Sequence, residues 1–115
     1  MTRSRVATRF EDALDVVDED AATATMLLTR AVTEMLELYC KSGLGRIPRG
    51  KDLLSIVAKI NPAVGERAIA FFAASALSDR IESATWLADR IIGVRGFFEW
   101  DSGPGPVPPS EAATE

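Results

Sequence analysis

Residues 78–100, SDRIESATWLADRIIGVRGFFEW, decide the fold that we predict for this chain. Their apolar side chains recur at steps of three and four residues, the spacing that places side chains on one face of an α-helix. Ser78 is a suitable residue to cap the start of this helix, and Gly93 lies near its end. Directly after it come three of the chain's eight aromatic residues, Phe97, Phe98 and Trp100. The stretch therefore predicts an amphipathic helix that leads into an aromatic cluster.

The same periodicity predicts two helices in the first part of the chain. A short helix covers about residues 9–17, and the acidic residues 18–20 end it. Asp20 is a good N-cap for a long helix over residues 21–42, because its carboxylate can accept hydrogen bonds from the first free amides. We expect Gly43 to end this long helix as a C-cap.

Two further helices are predicted between the long helix and the opening stretch. Residues 51–60 form a short helix, and the pair Asn61-Pro62 breaks it and starts the next one. That next helix runs to about Leu77 and contains residues 68–76, AIAFFAASA, which are apolar on nearly every side. We expect such a segment to be the most buried element, with Phe71 and Phe72 in the core.

These elements predict an all-α fold, with no strand-like alternation and no internal repeat. Because short loops join the helices, we expect an antiparallel bundle of four main helices with a short N-terminal helix. The bundle domain covers residues 1–101. Residues 102–115 are rich in proline and glycine and predict an extended or disordered tail.

The charge and the apolar pattern limit where the chain acts. Thirteen Lys and Arg against seventeen Asp and Glu give a net charge of −4, so the whole chain has no attraction for nucleic acid or anionic lipid. No stretch approaches the ~20 apolar residues that span a membrane. Cys40 is the only cysteine and lies in an apolar helical run, which suits a buried thiol in a reducing compartment. We expect a cytoplasmic protein with no membrane partner.

The chain contains no histidine. Zinc sites built from His and Cys are therefore excluded, and acid–base pairs that use histidine are absent. We expect no catalytic residue, no metal site and no cofactor.

A basic stretch joins the long helix to the next one. Lys41, Arg46, Arg49 and Lys51 are its cations, and no acid occurs until Asp52. The glycines of this stretch match the spacing of a phosphate-binding loop, but such a loop follows a strand and carries Ser or Thr after its lysine. A plain connector is the simpler interpretation. The alternative is a modest site for an anion, a nucleotide or RNA at these four residues.

Trp86 lies off the main apolar stripe of the opening helix. Glu82 precedes it by four residues and Arg90 follows it by four, so all three share one side of that helix. Trp86 is either at the rim of the core with a cation–π partner or an exposed aromatic residue at an interface. The candidate interface residues that we name are Trp86, Arg90, Phe97, Phe98 and Trp100.

The order of several motifs resembles a known family. LLTRAVTEMLELY, GRIPRGKDLL, an Asn-Pro helix start and LADRIIGVRGFFEWDSGP follow one another as in the helical region of certain bacterial nucleotidyltransferases, which is similar to HEPN domains. The resemblance covers about residues 20–108 and implies a four-helix bundle that pairs with a minimal nucleotidyltransferase. The Arg-to-His ribonuclease motif of active HEPN proteins and the paired aspartates of the nucleotidyltransferase are both absent here. The resemblance thus implies a non-catalytic partner or substrate-binding half, as in some toxin–antitoxin systems.

Two functions of different classes follow. One is the HEPN-like module bound to a nucleotidyltransferase partner. The other is a small helical interaction or regulatory protein that forms a homo-oligomer, such as a dimer, without any nucleotide.

Overall fold

The computed structural model describes residues 3–93, which form five α-helices. None of the described residues lies in a strand, so the all-α prediction is confirmed. The helices are α1 (Arg3–Asp15), α2 (Ala21–Leu44), α3 (Gly50–Ile60), α4 (Pro62–Ala73) and α5 (Leu77–Ile91).

Helix α2 is the centre of the bundle, since α1, α3 and α5 all pack against it. Helix α4 completes the structure by packing against α3 and α5. Seven residues along α2 are fully buried, and they recur at the helical spacing that the sequence predicted: Ala24, Leu28, Ala31, Val32, Met35, Leu36 and Cys40.

Polar groups define both ends of α2. At the start, the Asp20 carboxylate accepts hydrogen bonds from the Thr23 amide at 3.1 Å and from the Thr23 hydroxyl at 2.6 Å, as expected of an N-cap. The Thr23 hydroxyl also lowers the pKa of the Asp20 carboxyl. At the other end the prediction was wrong, because Gly43 lies inside the helix and Gly45 is the C-cap. Gly45 has the left-handed φ of 80° that favours glycine, and its amide bonds to the Lys41 carbonyl.

Helix α1 begins six residues earlier than the predicted start at residue 9 and is longer than α3 or α4. Val6, Ala7, Phe10 and Ala13 make up its buried face. At the edge of this face, Arg9 Nε lies 2.9 Å from Glu34 Oε1 of α2. Neither atom is open to water, and their alignment falls short of a hydrogen bond, so the contact is an ion pair. Glu34 thus pairs with Arg9 of the neighbouring helix α1 and not with Arg30 on its own helix.

A single residue, Asn61, separates α3 from α4. Its amide bonds to the Val57 carbonyl and caps α3, while its side chain accepts hydrogen bonds from the amides of Ala63 and Val64 and caps α4. The predicted start of α4 at Asn61-Pro62 is confirmed. Just beyond the corner, a Cβ placed on Gly65 would lie 2.5 Å from the Cα of Ala58, so the two helices approach each other at backbone distance.

Helix α4 ends earlier than predicted, at Ala73 rather than Leu77. Helix α5 then starts at Leu77 with Ala76 as its N-cap, so the prediction that Ser78 caps this helix was wrong. The guanidinium of Arg80 donates two hydrogen bonds, at 3.0 and 2.8 Å, to the Ala74 carbonyl and so fixes the turn between the helices.

The apolar segment of α4 is buried on one side only. Phe71 is fully buried as predicted and Phe72 is half-buried, but Ile69 is 50% exposed. The described part of the chain ends at Gly93, which has a positive φ of 59°. The predicted aromatic cluster of Phe97, Phe98 and Trp100 and the tail boundary at residues 101–102 lie outside the described residues.

Gly65→Ala tests the close approach of α3 and α4. A methyl group there would overlap the Ala58 backbone, which cannot move aside as a flexible side chain would. We expect a loss of about 1–3 kcal/mol in the free energy of unfolding, the usual cost of overpacking a core. Urea denaturation followed by circular dichroism measures this change.

Gly50→Ala is the matched control. No atom lies within 4 Å of the position that a Cβ would occupy there, so the added methyl group meets open space. We expect a stability equal to the wild type or up to ~1 kcal/mol higher, because alanine favours the helix. Equal stability of the two variants would contradict the close approach.

Candidate functional site

Trp86 on α5 lies at the rim of the core, half-buried and in contact with the core cluster. Its ring has two cationic neighbours. The guanidinium carbon of Arg67 is 5.2 Å from the ring centroid, and that of Arg90 is 5.7 Å away. Both distances are within the range of a cation–π interaction. The rim interpretation with Arg90 as a cation–π partner is confirmed, whereas the interface interpretation of Trp86 and Arg90 stays a prediction.

An open cleft of about 260 Å³ lies beside this ring. We call it the Trp86 cleft, and its lining residues are Ala63, Glu66, Arg67, Ala70 and Trp86. The four residues from α4 follow the spacing i, i+3, i+4 and i+7, so they lie along one side of that helix. The cleft exists because alanines occupy two of these positions, where longer side chains would fill it.

The charges that line the Trp86 cleft are mixed. Glu66 contributes one carboxylate and Arg67 one guanidinium group. Arg90 does not line the cleft but is the second cationic neighbour of the Trp86 ring. Stacking against an aromatic ring restrains a guanidinium and leaves its N–H groups available to an acceptor. The arrangement is suited to binding a surface that offers an apolar side chain together with a carboxylate or carbonyl oxygen.

The four cations of the basic stretch between α2 and α3 lie in different elements of the structure. Lys41 lies in the last turn of α2, Arg46 in the loop and Lys51 in the first turn of α3, and all three are exposed. Arg49 pairs with Asp52 at 3.2 Å, with side-chain exposures of 74% and 40%. So exposed a pair adds little stability.

The same Asp52 weakens the case for an anion site at the start of α3. Its carboxylate lies in the first turn of the helix, where an incoming anion would otherwise meet free amides. Its own amide already bonds to the Arg49 carbonyl at 2.9 Å. The Trp86 cleft is lined by residues other than Lys41, Arg46, Arg49 and Lys51, so the anion site at these four cations stays a prediction.

Cys40 is fully buried at the end of the α2 stripe, as the sequence predicted. Burial raises the pKa of its thiol, and the positive charge of Arg46 opposes that rise. Such a thiol is a poor nucleophile. Within residues 3–93 no three Cys, Asp or Glu side chains are grouped so as to hold a metal ion, and no helix is long and apolar enough to cross a bilayer.

Comparison of the chain with protein-family models, with curated proteins and with solved structures finds no match. The HEPN-like resemblance thus stays a prediction from the motifs quoted above.

The sequence identified the residues on α5 at this site but not the residues on α4 that line the Trp86 cleft. The spacing of Trp86 and Arg90 on one helix is visible in the sequence. Arg67, Glu66 and Ala70 belong to α4, and no local spacing relates them to a residue on α5. The only available signal was that α4 places charged residues next to small ones on one side.

Thiol reactivity tests the burial of Cys40. We expect Ellman's reagent to label the native protein at least about a hundredfold more slowly than the urea-unfolded protein, because labelling requires local opening. Because burial raises the pKa of the thiol, any native-state reaction should also need a higher pH than that of an exposed cysteine. The double variant Cys40→Ser/Ser42→Cys is the control, since residue 42 is exposed on the same helix. Equal labelling rates for the native wild type and this control would show that the Cys40 thiol is open to solvent.

Proposed function

We propose that this chain is a non-catalytic helical binding module that holds a protein partner at the Trp86 cleft. The observation that carries the proposal is the half-buried Trp86 ring, which lines an open cleft together with Arg67 and has Arg90 as a second cationic neighbour. Tryptophan and arginine are the residue types that most often dominate protein–protein binding energies.

The surroundings of the cleft support a protein partner over a small ligand. The cleft is open, and Ile69, one residue before Ala70, adds an aliphatic side chain that is 50% exposed. Binding sites for small ligands bury most of the ligand and are more enclosed. A partner helix or loop can cover Trp86 and Ile69 together and bring an acid to the two arginines.

The absence of histidine from the sequence supports a binding role over an enzymatic one. Cys40, the only cysteine of the sequence, is buried in the core and so is a poor nucleophile. We place the module in the cytoplasm, as a single reduced cysteine favours.

The proposal leaves two candidate partners for the Trp86 cleft. A nucleotidyltransferase that lacks its own helical region is the first, and the HEPN-like motif order supports it. A second copy of the chain is the alternative, supported by the same open aromatic surface. If the partner is a nucleotidyltransferase, nucleotide or RNA would be bound by the two proteins together and not by this chain alone.

Ala70→Glu tests the role of the cleft without touching the core, since Ala70 is exposed. The longer acidic side chain fills the cleft and adds a carboxylate that competes with the partner for Arg67. We expect the mass measured by light scattering after size exclusion to fall to that of the monomer if the partner is a second copy. If the partner is a nucleotidyltransferase, that protein should co-purify with the wild type from its native cells and be lost from Ala70→Glu.

The control is Ala22→Glu, the same substitution at an exposed position of α2 away from the cleft. It should keep the partner. A wild-type chain that is monomeric and free of any co-purified protein, or equal loss of the partner in both variants, would refute the proposal.

A further inference from the structure

The last turn of α2 and the residues that follow it are exposed to solvent. Residues 41–47, which we call the α2 tip, are seven consecutive exposed residues. The first four of them are still helical, so they point in every direction around the helix axis. Every residue of this turn is exposed, whereas Pro48, the next residue after the tip, is buried.

Aliphatic side chains are exposed at this end of the molecule. Leu44 is 44% exposed and Ile47 is 43% exposed, both within the α2 tip. Ile60, at the end of α3, is 36% exposed, and its side chain lies 3.7 Å from the position that a Cβ would take on Gly43. Six large apolar residues are exposed among the described residues, and three of them lie in the α2 tip or beside it.

The same region holds an excess of positive charge. Residues 41–59 contain five cations and one acid, a net charge of +4, while the rest of the chain contains eight cations and sixteen acids, a net charge of −8. Asp52, the single acid, pairs with Arg49. Lys41 and Arg46 of the tip, together with Lys51 and Lys59 of α3, are exposed.

We propose that the α2 tip docks on an anionic phospholipid surface. In this arrangement Leu44, Ile47 and Ile60 enter the boundary between head groups and acyl chains, while the cations contact the anionic head groups. Aliphatic side chains surrounded by Lys and Arg provide the two contributions that peripheral membrane binding requires, apolar burial and electrostatic attraction. The proposal is independent of the Trp86 cleft.

The shape and composition of the tip favour a bilayer over other anionic partners. Residues 41–60 contain no aromatic residue on which the bases of a single-stranded RNA would stack. Helical and proline-rich peptides bind in grooves, whereas the α2 tip is an exposed helix end. A bilayer surface accepts an exposed end that mixes apolar and basic side chains, and it requires no pocket.

The net charge of −4 predicted no attraction between the whole chain and anionic lipid. Because the positive charge is concentrated in residues 41–59, that end of the molecule is nevertheless attracted to an anionic surface. Within a Debye length of ~8 Å the surface interacts with the tip and α3 more strongly than with the acidic remainder. The chain should bind in one orientation, with the acidic part turned away from the lipid. Binding should be shallow and reversible, and it should weaken as salt is added.

The experiment is co-sedimentation of the full chain with vesicles. One set contains phosphatidylcholine with about one third phosphatidylserine, and the other contains phosphatidylcholine alone. At about 50 mM NaCl we expect clear binding to the first set only, and at about 300 mM NaCl we expect most of it to be lost. The variant Lys41→Gln/Arg46→Gln should bind roughly 20- to 30-fold more weakly, at about fivefold for each cation removed.

Two further variants separate this surface from general electrostatics. Arg3→Gln/Arg30→Gln removes the same charge from exposed positions outside the tip, and it should bind as tightly as the wild type. Leu44→Ser/Ile47→Ser keeps every charge but removes the apolar contact, so it should bind several-fold more weakly with an unchanged salt dependence. Circular dichroism confirms that each variant is folded before it is compared.

Absence of binding to the phosphatidylserine vesicles at low salt would overturn the proposal, as would an equal loss of binding in the Arg3→Gln/Arg30→Gln control. A short single-stranded RNA serves as competitor. If the RNA displaces the protein from the vesicles and itself loses affinity for Lys41→Gln/Arg46→Gln, the surface is a nucleic-acid site and the lipid proposal is wrong.

Discussion

The burial of one long helix on three sides is the constraint on which this structure depends. Helix α2 packs against α1, α3 and α5, so its apolar residues must serve several neighbours at once. Small residues such as Ala24 and Ala31 let those neighbours come close, while Leu28 and Met35 fill the space between them. The ion pair of Arg9 and Glu34 borders the α1 seam and adds charge complementarity to an otherwise apolar contact. Helix α4 is instead positioned mainly by helices other than α2, namely α3 and α5.

The sequence predicted what depends on neighbouring residues and failed where the signal was distant or ambiguous. Asp20 and Asn61-Pro62 each carry their capping chemistry within three residues, and both helix starts were right. Gly43 and Gly45 offer the same chemistry two residues apart, and the geometry of the whole helix decides that Gly45 takes the positive φ. No glycine or proline marks the end of α4. The Arg80 side chain holds that turn instead, through a contact with a carbonyl six residues earlier.

The candidate surfaces show the same division between local and distant signals. The two cations of the α2 tip, Lys41 and Arg46, lie close together in the sequence. The Trp86 cleft instead needs α4 and α5 to meet before Arg67 reaches the ring. The chemistry of the two surfaces also differs. The cleft offers an aromatic ring with guanidinium groups beside it, and the tip offers aliphatic side chains among exposed cations. The cations at both are partly or fully exposed, so the core of the bundle is built without them.

The corner at Asn61 has a consequence for how this chain can change in length. One residue caps the end of α3 and the start of α4, and four residues later Gly65 lies against Ala58. One residue added within the first turn of α4 would rotate the rest of that helix by about 100° relative to its cap. Gly65 would then turn away from Ala58, and a larger side chain would face it. Insertions and deletions should therefore be rare between α3 and α4 in any natural variant of this protein, and they should concentrate in the exposed loop of residues 45–47.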